Sequence, residues 1–339
     1  MPNVFLFSRA VMSALMMFVL VSTPAARAGG VDADAFAAVK RMGRGVNILG
    51  YDGLWKGYAD DPFRMRDFAL IRVAGFGHVR INFFGFQFMD AENRIDPAVL
   101  ARLDQVIDLA ARNGLTPVLD QHDNRLCQSA PGQCQTKLVA FWRQIAARYT
   151  GKQPRMIYEI LNEPGGDMTA PVWNSVLQSA LGAIRARDPA RIVIAAALNA
   201  GSARDIEKLD LPSADRRLIV TVHYYDPSSF THQGAPWEAG LAATHDVSWG
   251  SETERARVVD DLAVARDWAL KQNRPVYLGE FGVYDKAPSA PRAAWVRHVA
   301  RTAESFGWSW AYWQFDHDFA LFDSSEHRWN QPLLDALMR

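Results

Sequence analysis

The sequence predicts a single (β/α)8 barrel, and three observations carry that prediction. Short runs of β-branched and aliphatic residues alternate with longer stretches of helical period from residue 30 to the C-terminus. Eight such runs appear, the number a closed parallel barrel needs in roughly 250 to 300 residues. No G-x-G-x-x-G turn follows the first run, as an open nucleotide-binding sheet would require.

In chain order, the first segment places Arg9 ahead of an apolar run at 10–21, then Pro24 and the small-x-small triplet Ala26-Arg27-Ala28. This is the pattern of a secretory signal peptide, 1–28, cleaved after Ala28. The run is shorter than the roughly 20 apolar residues a membrane span needs. The remaining 29–339 is expected to be the barrel domain. Strands are expected at 45–49, 78–84, 116–122, 156–162, 191–198, 218–225, 275–280 and 308–315. Their cores, such as IVIAAAL and LIVTV, are apolar throughout, as strands covered on both faces are. Helical period marks 97–113, 136–149, 171–187, 252–272 and 290–306. The longest excursion, 226–251, is expected to be an active-site loop. The segment RLCQSAPGQCQ is expected to turn, and it holds the only two cysteines, Cys127 and Cys134. An exported chain can keep them as a disulfide, and the companion ligands of a metal site are missing at suitable spacing.

Charge narrows the partners. Thirty-seven basic and 37 acidic residues cancel, so nothing in the overall balance pulls the chain toward nucleic acid or an anionic membrane, and a neutral ligand is the natural default. In a barrel the chemistry collects at the C-terminal ends of the strands. Polar residues that are costly inside strands stand there: Arg80, Asn82, Asp120, His122, Asn162, Glu163, His223, Tyr225, Glu280, Trp313 and Asp316. Glu163 in ILNEP and Glu280 in LGEFG each close an apolar strand, on staves four and seven. Cleavage of a glycoside needs such a pair, one carboxyl to protonate the leaving oxygen and one carboxylate to attack or assist at the anomeric carbon. Glu159 shares the parity of Glu163 but lies about 13 Å deeper at 3.3 Å per residue, which makes it a buried, paired structural acid.

The neighbours take consistent roles. Arg80 can keep Glu280 ionised, Tyr225 can donate to it, Asn162 can bind the hydroxyl beside the anomeric centre, and His122 and His223 can supply neutral hydrogen bonds. Of the tryptophans outside helical patterns, Trp55, Trp237, Trp249 and Trp313, only the last stands at a strand end as a sugar platform; Trp142, Trp173, Trp268 and Trp295 read as packing residues. A metal centre built on His122, His223 and His317 is the competing chemistry, but the first strand, GVNILG, lacks the H-x-H pair of metal-dependent barrel hydrolases. No metal and no cofactor is expected.

Taken together, RGVNILG, HVRINFF, LDQH, ILNEP, VHYY, LGEFG and AYWQFD resemble glycoside hydrolase family 5, the cellulase-like retaining glycosidases of clan A. The resemblance covers nearly the whole chain after the leader. It implies that Arg80, His122, Asn162, Glu163, His223, Tyr225, Glu280 and Trp313 are the family's core set, with Glu163 as acid/base and Glu280 as nucleophile. It also implies a polysaccharide or oligosaccharide substrate; beside it, the charge balance and the removable leader leave no nucleic-acid or membrane partner expected, and a monomer is expected. The RGVNILG opening and WAYWQFD ending favour an endo-β-1,4-glucanase over the same barrel acting on mannan, mixed-linkage glucan, β-1,3-glucan or an exopolysaccharide. A non-catalytic carbohydrate-binding barrel would be expected to have lost a catalytic carboxylate, and both are present. N-terminal sequencing of the exported protein is expected to begin at Gly29; a chain that still began at Met1 would show that the apolar run is retained.

Overall fold

The computed structural model describes residues 1–2, 34–50, 53–56 and 63–339, so the expected leader lies almost wholly outside the described residues. Eight strands run β1 Arg44–Ile48, β2 His78–Phe83, β3 Thr116–Gln121, β4 Ile157–Glu159, β5 Val193–Ala196, β6 Leu218–Tyr224, β7 Val276–Phe281 and β8 Ser309–Tyr312. Each pairs in parallel with the next, and β8 returns to β1, closing the barrel. Nearly every strand residue is buried, because the barrel interior covers one face and the surrounding helices the other.

Two cores result. The larger lies between strands and helices, where Trp142, Trp173 and Trp295 bury their rings, as expected for packing residues. The smaller fills the lower barrel with Val118, Ile157, Ile192, Ile194, Ile219, Tyr277 and Ala311. It is plugged from below by the helix Ala35–Met42, whose Ala35, Ala38, Val39 and Met42 belong to the same cluster. Asp34 caps that helix by accepting from the Phe36 N–H at 3.0 Å. Above the plug the His78 ring spans the interior, with Nε2 3.0 Å from Tyr277 Oη and Nδ1 3.1 Å from the Met42 carbonyl. Only glycine fits opposite, since a Cβ on Gly45 would lie 2.2 Å from the imidazole.

The helices follow their sequence signals. Pro97 opens Pro97–Arg112 behind the Asp96 cap, and Ser251 and Glu254 form a reciprocal capping box at Glu252–Gln272. The RLCQSAPGQCQ segment differs from expectation. It is helical on both sides of Ala130, as Arg125–Ser129 and the start of Pro131–Tyr149. The Pro-Gly pair that reads as a turn instead puts proline at the first helical position, where its missing N–H costs nothing. Strand β4 is also shorter than the expected 156–162: its regular part ends at Glu159, and only the Ile160 and Asn162 N–H groups still donate to the neighbouring Ile194 and Gln121 carbonyls before the turn that carries Glu163. Among the described residues no helix is long and apolar enough to cross a membrane.

Cys127 and Cys134 are joined across a Cα–Cα distance of 4.8 Å, and both are buried. The loop they close is short, so the bond is expected to contribute about 2 kcal/mol. Denaturant unfolding of C127A/C134A against wild type measures this, and an unreduced mass two hydrogen atoms below the free-thiol mass identifies the bond.

Candidate active site

The site is assembled at the C-terminal mouth around Arg80 of β2, whose side chain is wholly buried. Its guanidinium forks onto Glu159, Nε to Oε2 and Nη2 to Oε1, each at 2.8 Å. Nη2 also donates to Asn162 Oδ1 at 2.9 Å and lies 3.1 Å from Asp120 Oδ2. Nη1 donates to Asn47 Oδ1 at 3.0 Å and to Glu280 Oε1 at 2.6 Å. One arginine thus fixes groups from five strands or strand ends. Glu159 is the buried, paired acid expected from the sequence, but it is part of the site's support rather than remote from it.

Glu280, on β7, has its second oxygen 2.9 Å from Tyr225 Oη, the hydroxyl donating. Glu163 stands outside β4 in a left-handed backbone conformation, φ +44°, rare for a non-glycine residue and a place where strain of about 1–3 kcal/mol is held. That turn lifts its side chain to about a quarter exposed (26%), against 5% for Glu280. Its Oε1 meets His223 Nδ1 at 3.1 Å, and the same nitrogen lies 3.7 Å from Glu280 Oε2. One oxygen of each glutamate and a His223 ring nitrogen fall within 4.8 Å of one another.

The surroundings push these groups apart in protonation. Burial raises the pKa of Glu163, with the Asp120 charge adding to it and His122 and Arg80 opposing. Burial also pushes Glu159 up to about 7 despite Arg80, because Asp120 and Glu280 are close. Burial holds His223 down at about 4, in keeping with the neutral ring expected from sequence. His122 departs from that expectation. Burial disfavours its charged form too, but Asp120 sits 2.5 Å from Nδ1 and outweighs burial, so its pKa is raised. The same pairing, with Arg80, overcomes burial of Asp120 and lowers its pKa.

Trp313 follows β8 and lies parallel to the His122 ring, with centroids 5.6 Å apart and planes at 5°. His122 Nε2 in turn lies 3.5 Å from Asn162 Nδ2. All eight sequence-predicted residues therefore belong to one connected set. Of the other tryptophans outside the expected helices, Trp55 and Trp249 are buried and Trp237 is half exposed against Tyr284. Sequence reading missed Asn47, which donates to the Gly279 carbonyl at 3.0 Å while its oxygen accepts from Arg80. Its signal was present: an amide inside the apolar run RGVNI.

A family model described as Cellulase (glycosyl hydrolase family 5) matches residues 39–318. The chain belongs to glycosyl hydrolase family 5. Endoglucanase H of Acetivibrio thermocellus is 29% identical over 318 residues, covering 90% of this chain; the chain spans 33% of that relative's length. The crystal structure of endoglucanase Cel5A from Thermotoga maritima superposes with a TM-score of 0.85 at 36% identity, covering 90% of this chain and 100% of that one. The same enzyme in complex with mannotriose matches with TM-score 0.85, 35% identity and the same coverage.

Within this family 5 site, Glu163, His223 and Glu280 are the set among the described residues close enough to share a cation; His122 and His317 are outside it. Both Glu280 oxygens accept hydrogen bonds, and Glu163 Oε1 meets His223 Nδ1. The Arg80 charge beside them further disfavours a metal ion. Replacing Arg80 by Met is expected to strand Asp120, Glu159 and Glu280 together, costing about 3–5 kcal/mol of stability and at least about 10²-fold in kcat. Urea unfolding and steady-state turnover measure the two losses, and wild-type values in both would remove Arg80 from its central place.

Proposed function

We propose that the protein is an endo-β-1,4-glucanase that cleaves its substrate by double displacement with retention, Glu163 acting as acid/base and Glu280 as nucleophile. The observation that carries this reading is the close approach of the two carboxyl groups, within 4.8 Å between oxygens. Retaining enzymes hold the pair about 5–5.5 Å apart, whereas inverting enzymes leave about 6.5–9.5 Å for a water.

The electrostatics support the division of labour. Arg80 and Tyr225 hold both Glu280 oxygens and stabilise a carboxylate. Glu163, with its raised pKa, keeps a proton to give to the glycosidic oxygen as the Glu280 oxygen attacks the anomeric carbon and the bond to the leaving sugar breaks. When Glu280 is esterified its negative charge is gone, which favours the ionised form of Glu163. Glu163 then takes a proton from the water that attacks the same carbon and frees Glu280. Neutral His223 bridges the two carboxyls without adding a competing charge. Asn162 faces the hydroxyl beside the anomeric centre, and the Trp313 face supports the sugar ring.

The relatives named endoglucanases support a β-1,4-glucan as substrate. The mannotriose complex of the Thermotoga enzyme supports β-mannan as a second substrate on the same machinery.

The two glutamates are separable by leaving group. Glu163→Ala is expected to lose about 10² to 10⁴-fold on polysaccharide yet to give a burst of phenol from an activated aryl cellobioside, followed by slow turnover that azide accelerates with a β-configured product. Glu280→Ala is expected to show no burst. The reverse pattern would exchange the roles, and inverted wild-type product would end the covalent mechanism.

A further inference from the structure

Because Glu163 lies beyond the end of β4, the ladder does not place it; the turn 160–168 does. That turn is backbone of an improbable kind, with Glu163 at φ +44° and Gly166 at φ +62°. Two of its supports are strand-derived or nearly so. Asn162 N–H donates to the Gln121 carbonyl at 2.9 Å, and the Pro164 carbonyl accepts from Ala200 N–H at 3.2 Å. The third is a single residue from outside the turn, Gln128, which meets it at three points. Its Nε2 donates to the Glu163 carbonyl at 3.3 Å. Its own carbonyl accepts from Asp167 N–H at 2.7 Å. Its backbone also lies so close to Gly166 that a Cβ there would come within 2.6 Å of the Gln128 oxygen.

Gln128 belongs to Arg125–Ser129, a helix of five residues, too short to hold its shape unaided. The adjacent residue, Cys127, is bonded to Cys134 in the first turn of the long helix Pro131–Tyr149. That helix is anchored in the core through Phe141 and Trp142, and Trp142 Nε1 donates to the Ile160 carbonyl at 2.9 Å, where the catalytic turn begins. The long helix, the disulfide, the short helix and the turn thus form a closed mechanical circuit around Glu163.

We propose that Gln128 is a positioning residue for the proton donor Glu163, and that the Cys127–Cys134 bond acts on the reaction through it. The proposal rests on the reading of Glu163 as acid/base. Holding the Glu163 carbonyl fixes the peptide plane and with it the direction of the Cα–Cβ bond, so the carboxyl stays within reach of both His223 and the glycosidic oxygen. Displacement by a fraction of an ångström lowers proton transfer more than it lowers binding.

The test is the leaving-group dependence of kcat/KM, which reports the first chemical step. Gln128→Met keeps side-chain volume and removes the donor. On a cello-oligosaccharide, whose leaving alcohol needs the proton, kcat/KM is expected to fall roughly tenfold. On a dinitrophenyl cellobioside, whose phenol departs unaided, it is expected to change less than about twofold. C127A/C134A is expected to give the same split, and the triple variant to lose less than the product of the two effects, because both act on one turn. Thermal midpoints establish that each variant is folded at the assay temperature. Equal losses on both substrates, or none, would overturn the positioning role, and fully multiplicative effects would overturn the path through the disulfide. Glu163→Ala measured alongside separates the two layers of inference: if it shows no leaving-group split, the acid/base reading itself fails.

Discussion

A buried guanidinium shared by three buried carboxylates is the constraint on which this site depends. Removing one cation and three acids from water carries a large desolvation cost, and their attraction offsets it only when the geometry is tight and the remaining polar atoms are satisfied. Arg80 supplies the tight geometry by using its donors on Glu159, Asn162, Asn47 and Glu280, with Asp120 within 3.1 Å. The partners come from β1, β3, β4, the turn after β4, and β7. The cluster therefore sets the relative position of those staves at the mouth, as the apolar cluster under His78 sets them at the base. The barrel interior is thus apolar below and ionic above, where the mouth opens.

Burial and the charges gathered around that cation set the protonation pattern. Glu280 lies against Arg80, whereas the Glu163 carboxyl, beyond the strand end, meets the His223 ring and has its pKa raised by burial. The histidines diverge as well. Asp120 draws a proton toward His122, and burial keeps His223 uncharged. Two residue types, each used twice, do four different tasks because their neighbours differ.

Most of this was legible in the sequence for a specific reason: a closed parallel barrel buries both faces of every strand, so inward polar residues stand out against apolar runs. Arg80, His122, His223 and Glu280 were visible in that way, and Glu163 was visible through ILNEP. What was hidden lay where local and tertiary signals conflict. Pro131 reads as a turn residue but opens a helix, because only the fold reveals that it stands at the first helical position, where its lack of an N–H costs no hydrogen bond. His122 looked neutral because Asp120, two residues away, matters through a contact of 2.5 Å that spacing cannot state. Gln128 carries no motif at all; its weight comes from the carbonyl it happens to reach.

The helix Ala35–Met42 that plugs the barrel base has a counterpart at the other terminus. Arg44, at the first residue of β1, donates to the carbonyl of Met338, the last residue of the final helix. Both described chain ends of the barrel therefore lie on the face away from the cleft. An anchor, a tether or an added module joined at either end would hold the molecule with its mouth outward, so the barrel could be displayed on a surface or strung into a larger assembly while the path of an incoming glycan chain stayed clear.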